Sequence, residues 1–72
     1  MTLHNRLKEI RNQKGLTQET LARAVGVTRQ TVIAVEQGRY VPSVKLALEL
    51  SAALETPLAQ VFWIGNEEGD RL

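Results

Sequence analysis

Four consecutive polar residues, Thr28-Arg29-Gln30-Thr31, carry the most specific chemistry in this 72-residue chain. An arginine fork can give two parallel hydrogen bonds to O6 and N7 of guanine, and a glutamine amide can pair with N6 and N7 of adenine. Ala34, one helical turn after Gln30, has the size to touch a thymine methyl group. The bland alternatives are a solvated helix surface for Arg29 and Gln30, and a choice made for helix propensity at Ala34. Only a rigid element that presents these side chains together would make the pattern functional.

Other chemistries find less support. The chain has no cysteine and one histidine, so disulfides, thiolate metal sites and histidine clusters are excluded. Ser43 reads as a helix cap, Ser51 as a core-facing residue and His4 as a surface residue of the first helix. There is no carboxylate pair, no nucleophile–base spacing and no glycine loop built to cradle phosphate. The expectation is a protein that is not an enzyme and uses no cofactor or metal. Apolar runs such as Val61-Phe62-Trp63-Ile64 fall far short of the roughly 20 residues that span a bilayer. The N-terminal residues lack the apolar stretch of a signal peptide. A cytoplasmic protein with no membrane association is therefore expected, and no small-molecule effector is evident.

The elements that must position the polar cluster are punctuated by glycines and capping residues. Leu3, Leu7 and Ile10 recur at helical spacing, with Thr2 as a cap at the start and Gly15 as the stop. Thr17 caps a second helix, with Leu21, Ala22 and Val25 inward and Gly26 as terminator. Thr28 caps a third, over about residues 29–37, with Val32 and Val35 inward and Gly38 ending it. Ser43 opens a fourth helix running to about Glu55. It carries two apolar stripes, Val44, Ala47, Leu48, Ser51, Leu54 and Leu46, Leu50, Ala53, and is read as central. Thr56-Pro57 starts a short fifth helix with Leu58, Val61 and Phe62 inward. No strand alternation is visible, so the predicted fold class is all-α, a five-helix orthogonal bundle. One domain over residues 1–64 is followed by an acidic, flexible tail over 65–72.

The second and third helices are separated by Gly26-Val27 alone and must cross steeply, with the small Ala22 at the crossing. The stretch Leu16-Thr17-Gln18-Glu19, Leu21-Ala22, Val25-Gly26-Val27-Thr28-Arg29-Gln30-Thr31-Val32 and Val35-Glu36-Gln37-Gly38 resembles the Cro/cI-type (XRE) helix-turn-helix repressors and their small single-domain members. The resemblance covers about residues 3–63 and implies a five-helix, lambda-repressor-like domain that binds double-stranded DNA. It implies that the third helix enters the major groove with Arg29, Gln30 and Ala34 at the bases. It also implies that Gln18, at the start of the second helix, holds DNA backbone. Thr17 and Thr28 read first as caps but can lie beside phosphates, as can Thr31, Arg39 and Tyr40. In similar repressors an arginine and a glutamate at the places of Arg11 and Glu36 form a buried ion pair, so these two are expected to be structural. Ile33 departs from the family pattern, being apolar and off the Val32/Val35 face.

Charge fits a polyanion partner. Residues 1–45 hold eight Lys/Arg against three acids, and residues 46–72 hold one arginine against five acids. A monomer reading about four base pairs binds too weakly against genomic competition, so a C2 homodimer on a palindromic operator is expected. Trp63 and Ile64 are its interface candidates, unless Trp63 instead closes the monomer core. The leading function is a transcriptional regulator, specifically a repressor. The alternatives are an antitoxin that autoregulates a toxin–antitoxin operon, or a protein-interaction module on the same fold.

Overall fold

A computed structural model describes residues 1–65. The chain runs β1 (Thr2–Asn5), α1 (Leu7–Gln13), α2 (Gln18–Val25), α3 (Arg29–Glu36), α4 (Val44–Ala53), α5 (Leu58–Val61) and β2 (Phe62–Gly65). α2 packs on both α3 and α4, and α1 touches α3. One core of Leu7, Ile10, Leu21, Ala22, Val32, Val35, Leu46, Leu50, Leu54, Val61 and Phe62 joins all five helices to β2.

The expected caps of the three middle helices are present. The hydroxyl of Thr17 accepts from the Thr20 N–H at 2.9 Å. That of Thr28 accepts from the Thr31 N–H at 3.2 Å, and that of Ser43 from the Leu46 N–H at 3.0 Å. Each satisfies one of the donors that a helix start leaves open.

The two ends of the chain depart from expectation. The fold is not strictly all-α, because β1 and β2 form an antiparallel ribbon in which Thr2 pairs with Gly65 and Asn5 with Phe62. Each strand is four residues long, too short for alternation to stand out, and Leu3 lies at helical spacing from Leu7 by coincidence. Thr2 is therefore the first residue of β1 and not a helix cap. α1 begins four residues later than the spacing of Leu3 suggests, and the Asn5 side chain accepts from the Leu7 N–H at 2.9 Å. The amide of Asn5 also donates to the carbonyl of Val35 at 3.0 Å, fastening the β1–α1 corner to the end of α3. His4 is a half-buried strand residue, not a surface residue of a helix. Its ring stacks on Trp63 with centroids 5.9 Å apart.

α5 is a single turn. Thr56 does not cap it, since its hydroxyl donates to the Leu54 carbonyl at 2.9 Å. Pro57 occupies the cap position. Leu58 is exposed instead of inward. Phe62 is buried as expected, but from β2. Aromatic and β-branched side chains suit a pleated, half-covered surface, and Phe62-Trp63-Ile64 finds β1 to pair with. Gly65 is the buried last residue of β2 and so belongs to the domain; the rest of the expected tail, 66–72, lies outside the described residues.

α4 also differs. Leu46, Leu50, Ser51 and Leu54 face the core, while Val44 and Leu48, assigned to the same stripe as Ser51 and Leu54, stand exposed. The helix ends at Ala53, with Glu55 in the left-handed region at φ 54°. Glycine is the usual residue there, so the sequence gives no warning of this turn.

Gly26 is where positive φ matters most. At φ 75° it ends α2 and turns the chain into α3, and a Cβ added there would meet no heavy atom within 4 Å. Gly26→Ala should therefore pay backbone strain alone, about 1 kcal/mol. Thermal unfolding followed by circular dichroism should show a fall of roughly 4–8 °C with an unchanged native spectrum.

Candidate nucleic-acid interface

α2 and α3 pack against each other across the Gly26-Val27 turn, as the spacing predicts. Ala22 is buried at the contact, where a larger side chain would push the helices apart. Val27 packs partly buried under the turn. Val32 and Val35 are almost fully buried, which fixes the roll of α3 about its axis. The opposite face of the first turn then points outward, and both Arg29 and Gln30 are exposed. Ala34 and Ile33 are half-buried. Eight residues at 1.5 Å rise give α3 a length of about 12 Å, comparable to the width of the B-DNA major groove.

Under α3 lies a continuous polar chain. Arg11, on α1, donates through Nε to Oε2 of Glu36 at 2.7 Å and through Nη1 to the Leu16 carbonyl at 2.8 Å. The two side chains of the pair retain only 8% and 4% of their exposure. The other carboxylate oxygen of Glu36 accepts from Nε2 of Gln18 at 3.1 Å. Oε1 of Gln18 in turn accepts from Nε of Arg29 at 3.3 Å. Glu36 thus spends both oxygens, and the amide of Gln18 is oriented by it. One N–H of Gln18 points at Glu36, the carbonyl points at Arg29, and the second N–H remains to donate. The family resemblance implied the ion pair but not the bridge, because nothing in a lone glutamine signals that it will join a buried carboxylate to an exposed arginine.

Thr17, Thr28 and Thr31 are committed to helix starts. The hydroxyls of Thr17 and Thr20 lie 2.8 Å apart and those of Thr28 and Thr31 3.1 Å apart, beside the capping bonds. Arg39 donates to the Gln37 side chain at 2.9 Å, and Tyr40 is about half exposed; both follow α3 directly. Over residues 14–40 the exposed charges are Lys14, Arg23, Arg29 and Arg39 against Glu19, since Arg11 neutralises Glu36. The surface around α2 and α3 is therefore basic.

The sequence leaves Trp63 open to two roles, at an interface or closing the monomer core. It is half-buried, stacked on His4 and covered by the Arg6 guanidinium 4.9 Å from the ring centroid. Ile64, the other candidate, is 64% exposed.

This geometry meets its counterpart among known proteins. A helix-turn-helix family profile matches residues 7–61, most of the chain. The chain belongs to the XRE-type helix-turn-helix family. It is similar to YgzD of Bacillus subtilis, an uncharacterized HTH-type transcriptional regulator, with 48% identity over 90% of this chain and 98% of the relative. An uncharacterized HTH-type transcriptional regulator of Methanothermobacter thermautotrophicus shares 49% identity over 88% of this chain and 91% of its own. Among solved structures, the restriction-modification controller protein C.AhdI from Aeromonas hydrophila superposes with a TM-score of 0.73 at 42% identity. The match covers 76% of this chain and 83% of that one. As a member of this family of DNA-binding transcription regulators, the helix-turn-helix protein has the expected motif at 16–38. The ribbon is what the resemblance alone did not supply.

The buried pair gives a stability test. Arg11→Met leaves the Glu36 carboxylate uncompensated, and Glu36→Leu does the same to the guanidinium; each should cost about 3–5 kcal/mol. Replacing both together should recover most of that loss. Urea denaturation of the two single variants and the double variant measures the difference.

Proposed function

We propose that this protein is a sequence-specific repressor. As a homodimer it binds a palindromic operator, places α3 in consecutive major grooves and blocks access of polymerase. The observation that carries the reading is the exposed pair Arg29 and Gln30 on the first turn of α3, held outward by Val32 and Val35 buried beneath. Arg29 reads guanine and Gln30 adenine, with Ala34 one turn on against a thymine methyl. Gln18 offers its free N–H to the backbone, and Thr17, Thr28, Thr31, Arg39 and Tyr40 line the phosphates on either side. The similarity to a restriction-modification controller protein supports a regulatory role. The role requires no catalytic step, cofactor or metal, and it places the protein in the cytoplasm with its DNA. No helix among the described residues is long and apolar enough to cross a membrane.

The dimer follows from size. Half-sites of a palindrome lie about 34 Å apart, and the molecule's longest extent is 33 Å, so two copies laid end to end on adjacent half-sites touch.

Selection of bound duplexes from a random library should return a palindrome with half-sites one helical turn apart. Log affinity should fall against log salt with a slope of about −5 to −8, for six to nine neutralised phosphates. Arg29→Ala should cost about 1–3 kcal/mol per half-site and relax one base position, leaving the others unchanged. No enrichment, or equal affinity for scrambled duplex at every salt concentration, overturns the reading.

A further inference from the structure

One large apolar side chain of α3 has no place in the core. Val32 and Val35 are almost fully buried beneath the helix. Ile33 is half-buried and is not among the partly buried apolar residues that pack on the core cluster. At about 100° per residue it lies about 130° round the axis from the middle of the Val32–Val35 arc. The same arithmetic puts it about 40° from Arg29 and about 60° from Gln30, one turn further along the axis. Among the eight residues of α3 it alone falls on the arc between those two exposed side chains. Its neighbours one turn away, Arg29, Gln30, Glu36 and Gln37, are all polar. Helix stability does not account for the residue either. Alanine, glutamine, glutamate or lysine suits an outward helical position better, and a β-branched side chain loses χ1 freedom there.

We infer that Ile33 is a specificity determinant, packing against the C5-methyl group of a pyrimidine in the major groove. The contact rests on the reading of α3 as the groove helix and adds a discrimination that neither Arg29 nor Gln30 supplies. Chemistry selects the partner. Base edges in the major groove present donors and acceptors, and the methyl of thymine is the apolar group among them. Arg29 and Gln30 match polar atoms. An isoleucine set between them matches only a methyl, and against the amino group of cytosine it would leave a polar atom desolvated and unpaired. Stiffness favours the same role. Isoleucine in a helix is held almost wholly in one χ1 rotamer, so its methyl groups are in place before DNA arrives and little freedom is lost on contact. Arg29 does not compete for the position, because its Nε is drawn toward α2, 3.3 Å from Oε1 of Gln18. Ala34 stands beyond Gln30, about 100° round from Ile33, and so faces a different base pair. Thymine and 5-methylcytosine both carry the required group.

The test uses the full chain and the duplex returned by selection from a random library. Each thymine of a half-site is replaced in turn by uracil, which lacks only the C5-methyl, and affinity is measured for the wild type, Ile33→Ala and Ile33→Val. At one thymine the wild type should lose about fourfold, the equivalent of one buried methyl. Ile33→Ala should bind thymine and uracil equally there, while any thymine that meets Ala34 keeps its uracil effect in that variant. Ile33→Val, which retains the branched carbon, should keep most of the preference. Cytosine and 5-methylcytosine at the same position separate the two sources of the methyl. A similar gain on methylation in the wild type, absent from Ile33→Ala, supports the contact, and tighter binding of 5-methylcytosine than of thymine assigns it to methylated DNA. Ile33 lies outside the core, so both variants should melt like the wild type. A wild type indifferent to uracil at every position, or a uracil effect that persists undiminished throughout in Ile33→Ala, overturns the inference and leaves the selected operator standing. A library that yields no preferred sequence removes the operator reading and this contact with it.

Discussion

The buried pair of Arg11 and Glu36 is the constraint on which the arrangement of the first three helices depends. Its Coulombic gain roughly offsets the cost of taking two charges out of water, so its weight lies in geometry more than in net stability. It ties the last turn of α1 to the last turn of α3. The free carboxylate oxygen then engages the first residue of α2. An apolar contact would tolerate slippage between these helices. A guanidinium–carboxylate contact with both carboxylate oxygens used does not. The exposed end of the chain of bonds is Arg29, so a side chain that faces solvent takes its alignment from one that does not. Holding a long, flexible side chain near one conformation lowers the ordering cost of binding, the general benefit of preorganisation.

The sequence made the middle of the molecule readable and the ends not. From Leu16 to Gly38 each local signal agrees with the others: threonine caps, a glycine at positive φ, a small residue at the crossing and valines at helical spacing. Such agreement between levels is what allows a fold to be read directly. At the ends the decisive contacts join residues about sixty positions apart. No window on the sequence contains both strands, and Leu3 fitted the helical period of Leu7 and Ile10 well enough to mask an extended segment. Glu55 hid the end of α4 because it adopts a backbone conformation usually assigned to glycine. The outer stripe of α4 was legible as apolar, but its exposure was not, since periodicity marks a face without naming what covers it.

The site follows the same division. The exposure of Arg29 and Gln30 was legible from residue type and spacing, and the Arg11–Glu36 pair from the family resemblance. The bridging role of Gln18 was not, because it depends on side-chain direction in two helices at once. Trp63 reads either way from the sequence, as an interface residue or as one that closes the monomer core; its ring stacks on His4 and lies beneath the Arg6 guanidinium, while Ile64 beside it is exposed.

The register of the ribbon places Thr2 opposite Gly65, so the start of the chain and residue 65 leave the molecule side by side at one corner. A domain with adjacent ends can be spliced into a loop of a host protein, or have its ends joined and be reopened elsewhere, without stretching its interior.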